Sequence, residues 1–184
     1  MENSKSIYIG LFSLFLGAVL LGSSAIFVRF SETSPSLTAF YRALLALPFL
    51  LIWVLGSKNN LPVKSYLTKD NLVFLLLAGV FFGSDMAIWN WSISFTSVAH
   101  ATLMANTAPI FVTFIAFFLL RQKIETSFFR ALFLAFMGVS IVVMAGSGSD
   151  SAKLLGDSLG LIAAIFYAAY ILTIKKLTNS FPPA

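Results

Sequence analysis

The chain has no cysteine, which removes disulfide frameworks, thiolate catalysis and cysteine-held zinc or iron–sulfur clusters. Its single histidine, His100, leaves no second imidazole for a metal site, and the zinc-protease spacing H-E-x-x-H is missing. No G-x-x-x-x-G-K-[ST] phosphate loop occurs, so ATP hydrolysis by this chain is not expected. Charge is scarce as well: Asp, Glu, Lys and Arg make up 10% of the 184 residues. The net charge of +5 is spread over short loops and not gathered on a basic face with interleaved aromatics, so no nucleic-acid partner is implied. No cofactor is implied either.

What remains is apolar. Hydrophobic residues make up 59% of the chain, 20 of them Phe, and the mean hydropathy is +0.93. That composition lies outside the range of soluble globular domains and indicates an integral membrane protein whose first partner is the lipid bilayer. Runs of roughly 20 apolar residues, the length a bilayer-crossing helix needs, fall at Ile7 to Phe30, Leu37 to Leu55, Leu72 to Ser94, Val98 to Leu120, Phe128 to Ala145 and Leu159 to Ile174. The fold class expected is therefore all-α, with about six transmembrane helices. Pro35 opens the second span, Lys58 to Asp70 supplies a charged turn, and Gly146 to Asp157 reads as a Gly/Ser-rich loop. Thr96 and Ser97 are the expected caps where the fourth helix begins. The first run is longer than a signal-peptide core of about 7 to 15 residues and is followed by further spans, so it is read as a membrane helix.

Alternation of six helices places Lys5, the Lys58, Lys64 and Lys69 loop, the Arg121, Lys123 and Arg130 loop, and Lys175 with Lys176 on one side. The positive-inside rule makes that side, and the N-terminus, cytoplasmic, in a multi-pass protein of the inner (plasma) membrane.

Several residues are expensive in such a setting. The stretch DMAIWNWSISFTSVAHATLMANTAP, Asp85 to Pro109, holds an acid, a histidine and two asparagines in apolar surroundings. Ionisable groups inside spans usually face a protein interior or a watery path. At a helix rise of ~1.5 Å per residue, Ser24, Arg42, Asp85 and Asn106 fall roughly 9 to 15 Å below the outer surface. Tyr167 reaches nearly the same level, and His100 lies about one turn from the outer mouth. Similar depth suggests an ion pair between Arg42 and Asp85, which either fixes helix packing or handles cargo. In the second case Asp85 accepts a proton or a substrate ammonium while Arg42 holds a carboxylate, an arrangement suited to zwitterions.

Trp89 shares a helical face with Asp85 and either lines a cavity or, with Asn90 and Trp91, joins an interfacial aromatic belt. His100 is a coupling or gating candidate, since imidazole can change charge near neutral pH, or a hydrogen-bonded packing residue. Pro109 removes a donor and frees a carbonyl one turn back, near Ala105, so a kink is expected with Asn106 beside it as a cavity-lining residue. Gly17, Gly22, Ser23 and Ser24 permit close helix contact, and the phenylalanines are read as lipid-facing or core.

The residues GSSAIFVRF, the spacing P-x-x-x-x-x-x-R from Pro35 to Arg42, the segment TSVAHATLMANTAPIFV and the Gly138 region together resemble the EamA family of the drug/metabolite transporter superfamily. The D-x-x-x-W of Asp85 and Trp89 is similar to one subgroup. The resemblance implies a ten-helix transporter of two inverted five-helix repeats, of which this chain is half. On that reading residues 1–146 form the first repeat, 147–157 an outer loop, and 158–184 the first helix of a second, truncated repeat. Aligning Pro35 with Pro182 sets the first span against the sixth and Arg29 against Lys176. The missing helices would come from the C-terminal part of the same transporter or from a second copy. The family usually carries a glutamate near the end of the fourth helix, where this chain has Gln122, with Glu125 about one turn further on.

The function expected is secondary transport of a small organic metabolite, such as an amino acid or related compound, by alternating access. Proton coupling through Asp85 and facilitated diffusion both remain open. The competing readings are an intramembrane enzyme, which would need a nucleophile such as a serine of GSGSD at Gly146 to Asp150 within reach of His100, and a non-transporting assembly subunit.

Overall fold

The computed structural model describes residues 2–56, 68–118, 121, 126–146 and 151–178. The described residues form seven helices: α1 (Glu2–Arg29), α2 (Pro35–Gly56), α3 (Lys69–Phe95), α4 (Val98–Ala105), α5 (Ala108–Phe118), α6 (Thr126–Gly146) and α7 (Ser151–Thr178). No strand occurs among them. Five stretches are long and apolar enough to cross a membrane: Ile7–Arg29, Pro35–Gly56, Lys69–Phe95, the α4–α5 pair at Val98–Phe118, and Lys153–Thr178. A shorter apolar stretch, Phe128–Gly138, lies in α6. The chain is thus an all-α protein built to span a bilayer.

Local chemistry sets the helix ends. Thr68 caps α3 by accepting the Asn71 amide at 3.3 Å, and Ser97 caps α4 by accepting the His100 amide at 3.1 Å. Thr96, expected as a second cap for the fourth helix, instead closes α3, its amide bonded to the Ser92 carbonyl at 3.0 Å. Arg29 donates through Nη1 to the carbonyls of Ile93 and Thr96, at the end of α3 where carbonyls lack helical partners.

One expectation is sharpened and one corrected. The kink expected in the fourth span takes the form of a break: α4 ends at Ala105, Asn106 and Thr107 form a turn, and α5 starts at Ala108. Pro109 lacks the N–H that would continue the ladder. At the break Met104, one residue before Ala105, has its carbonyl held by the Thr107 hydroxyl at 2.6 Å and the Thr107 amide at 3.1 Å. The last helix also begins before its apolar run, at Ser151, so Lys153 and Asp157 belong to α7 and not to a loop. Lys, Ala and Leu in that first turn are good helix formers, and tertiary packing accommodates the glycines beside them.

That packing is the centre of the fold. α7 runs antiparallel along α3 in the most extensive helix pairing and also packs on α4 and α5. Its buried face is Gly156, Gly160, Ala163, Ala164 and Ala168, and the opposing positions include Ala78, Ser92, Ala101 and Met104. Apolar bulk gives no drive for association when the solvent is itself apolar, so close backbone approach through small residues takes over. A Cβ on Gly156 would lie 2.7 Å from both the Thr96 amide nitrogen and its Cβ, and one on Gly160 would lie 2.7 Å from the Met104 Cβ. By contrast, no atom lies within 4 Å of where a Cβ on Gly17 or Gly22 would sit, so those glycines make no close contact among the described residues. Large side chains of α1 and α2 such as Phe15, Leu21, Phe49 and Trp53 are exposed, as lipid-facing residues are.

Candidate functional site

Arg42 projects from α2 between α1 and α3. Its Nη2 donates to the Ser24 hydroxyl at 2.9 Å, its Nη1 donates to the Asn90 Oδ1 at 3.3 Å, and its guanidinium carbon lies 5.5 Å from the centroid of the Trp89 ring. The side chain is half-buried. Three groups from two helices, α1 and α3, therefore converge on one cation through a hydroxyl, an amide and a π face, all of them uncharged.

The expected Arg42–Asp85 ion pair does not form. Among the described residues the only contact within salt-bridge distance joins His100 and Asp157, and Asp85 is half-buried with no hydrogen bond. Trp89 sits one helical turn beyond Asp85 on the same face of α3, and the Arg42 guanidinium lies over its ring. Arg42 thus rests on uncharged partners, and Asp85 lies one turn along α3 from the ring that the guanidinium covers. Separation of such groups leaves each able to engage a ligand of opposite charge.

Asn90 is the residue that the sequence reading missed. Grouped with Trp89 and Trp91 as an interfacial belt, it is instead wholly buried, and its Nδ2 donates to the Pro35 carbonyl at 3.1 Å. It ties the start of α2 to α3 while presenting its oxygen to Arg42. The available signal was a pair of tryptophans flanking an amide: residues on either side of a buried helical position point elsewhere. Trp91 does point elsewhere, donating its indole N–H to the Ser36 hydroxyl at 2.9 Å and stacking on Phe95.

The other expected site residues fall outside this cluster. His100 Nδ1 lies 3.4 Å from Asp157 Oδ2, while the Thr96 hydroxyl donates to Asp157 Oδ1 at 3.0 Å. The pair joins α4 to α7 and belongs to the helix seam. Asp157 was another residue missed, for it was assigned to a loop; the GDSLG spacing of small residues around it was the signal. Tyr167 stacks on Tyr170 with ring centroids 6.0 Å apart. Asn106 and Pro109 are exposed at the break between α4 and α5. Gln122, Glu125 and the serines of GSGSD lie outside the described residues.

Comparison with known proteins accords with this architecture. Residues 8–144 match the family model described as the EamA-like transporter family. A protein of Archaeoglobus fulgidus named as an uncharacterized transporter is 29% identical over 168 residues, covering 89% of this chain and 56% of that protein. The uncharacterized transporter YetK of Bacillus subtilis is 29% identical over 174 residues, covering 90% of this chain and 51% of its own length. A riboflavin transporter of Vibrio cholerae is 25% identical over 139 residues, 75% of this chain and 43% of that protein. The chain spans about half the length of the curated relatives it matches. No solved structure matches it.

Proposed function

The chain belongs to the EamA-like transporter family, and from that premise we propose that it supplies one half of a secondary transporter that moves a small organic metabolite by alternating access. One observation carries the reading: Arg42 and Asp85 both stand in membrane-spanning helices, Arg42 rests on uncharged partners, and no ion pair joins the two. A charge in a spanning helix costs ~2.5 to 3.5 kcal/mol on insertion scales. Retaining two of opposite sign without pairing them suits a site whose counter-charges arrive with cargo.

A zwitterion, such as an amino acid or related compound, fits that requirement. Its carboxylate would bind the open donors of Arg42 and its ammonium Asp85, with Ser24 and Asn90 holding the guanidinium in place and Trp89 forming the floor. The resting state keeps Arg42 on neutral partners, so cargo displaces no competing carboxylate. Residues 1–146 form the first repeat and residues 158–184 contribute to the second, in a frame with the N-terminus cytoplasmic in the inner membrane. The remaining helices come from the rest of the transporter or from a second copy, a reading supported by the half-length match to relatives.

Flux in proteoliposomes carrying the complete transporter tests the proposal. Arg42→Gln and Asp85→Asn are each expected to lower substrate flux by about tenfold or more, the ratio that corresponds to ~1.4 kcal/mol. Wild-type flux in both variants would overturn the assignment.

A further inference from the structure

A second polar feature lies apart from the guanidinium of Arg42, at the end of the bundle where α1 turns into α2. An open cavity of about 180 Å³ is lined there by residues including Arg29, Ser31, Thr33, Thr38, Asn90 and Ser94. A single water needs only ~10 to 15 Å³ on this measure, so the cavity admits a small organic molecule. Its wall is mostly polar. The hydroxyls of Ser31, Thr33 and Thr38 lie within 2.7 to 3.2 Å of one another, so each can turn its proton to a neighbour or to a guest.

Arg29 supplies the charge. Both of its hydrogen bonds to the Ile93 and Thr96 carbonyls use Nη1, leaving Nη2 and Nε without a protein partner among the described residues. Glu32, the one acid in the α1–α2 turn, is exposed, does not line the cavity and forms no ion pair with Arg29. A guanidinium presents a planar fork of donors that matches a carboxylate edge. One cation surrounded by neutral hydroxyls and an amide balances a single negative charge, whereas a phosphate group brings about −1.5 to −2 at neutral pH.

We propose that this cavity is a separate binding site for a small monocarboxylate, with Arg29 as the anion-recognising residue and the Ser31–Thr33–Thr38 hydroxyls as secondary donors or acceptors. Asn90 forms part of its wall and also accepts from Arg42. The cavity therefore adjoins the deeper cation through one shared wall residue. None of the substrate-site residues other than Asn90 is shared, so the cavity site stands or falls independently of the Arg42–Asp85 reading.

The test uses the full chain in lipid nanodiscs titrated with propionate and, as a neutral shape match, propionamide, followed by calorimetry. Propionate is expected to bind saturably and propionamide not. Arg29→Gln should weaken propionate binding by about tenfold or more, as loss of charge-assisted hydrogen bonds implies. Thr38→Val, which keeps the Arg29 contacts that close α3, should weaken it to a smaller degree with an unchanged melting temperature. Absence of saturable propionate binding, equal binding of propionamide, or unaltered affinity in Thr38→Val and Arg29→Gln would each overturn the site. Loss of propionate binding in Arg42→Gln but not in Arg29→Gln would move the anion to the deeper guanidinium and overturn it too. Should Arg29→Gln fail to fold, Thr38→Val decides alone, since unchanged affinity there rejects the site.

Discussion

Arg42 and Asn90 work as a unit, because the amide of Asn90 is spent in two directions. Its nitrogen holds the Pro35 carbonyl and its oxygen receives Arg42, within a residue that has no exposed surface. Truncation strands both partners, and a buried donor or acceptor left without a partner costs about 1 to 3 kcal/mol. Asn90→Ala is thus expected to lower the melting temperature of the detergent-purified protein, whereas Asn106→Ala, at an exposed position, should leave it unchanged. Equal melting temperatures for the two variants would contradict the role given to Asn90. The His100–Asp157 contact allows a different check. His100→Gln and Asp157→Asn are expected to be non-additive, with an interaction energy of about 0.5 to 3 kcal/mol in a double-mutant cycle read by chemical denaturation. Strict additivity would mean that the two side chains do not support each other.

At the level of helices, α7 is held by what it lacks. The Gly156 position brings its backbone against the Thr96 backbone, and Gly160 brings it against Met104 and the Ala101 carbonyl. Side chains at these points would push α7 off α3 and α4, and overpacking of this kind typically costs about 1 to 3 kcal/mol. Gly156→Val and Gly160→Val should therefore reduce the yield of monodisperse protein and lower its melting temperature. Gly10→Ala, with no atom within 4 Å of the new carbon, is the control and should behave like the parent. The seam brings Asp157 to His100 and Thr96, so separation of α7 from α4 would break polar contacts as well as apolar ones. The interruption between α4 and α5 has its own local closure through Thr107, which leaves the two segments joined by a turn and not by a continuous ladder.

For the whole molecule, the absence of cysteine is an experimental advantage, as any introduced thiol is the only one. Glu32, in the turn between α1 and α2, and Arg121, between α5 and α6, lie on opposite faces if the N-terminus is cytoplasmic. A membrane-impermeant maleimide is expected to label Glu32→Cys on intact cells and Arg121→Cys only after permeabilisation. The reverse pattern would invert the proposed orientation and, with it, the side from which the Arg29 cavity opens. The apolar faces of α1 and α2 are exposed, as faces that meet lipid are.

Spans, helix class and family were legible in the residues because they depend on local or summed properties. A bilayer leaves no water for backbone groups, so each crossing must be a helix of about 20 apolar residues, and such runs are visible one at a time. The unusual cost of Asp85 and Arg42 was visible for the same reason. Their partners were not. Which side chains meet depends on how each helix is rotated about its axis, and that rotation is decided by contacts between residues far apart in the chain: Gly156 on Thr96, Gly160 on Met104, Asn90 on Pro35. Helix rise puts Arg42 and Asp85 at an expected common depth, yet the fold sends Arg42 to Ser24, Asn90 and Trp89 and brings His100 to Asp157, not to Asp85. Hydrophobicity along the chain determines where the protein crosses the membrane; the packing of small residues across the seam decides what its polar groups touch.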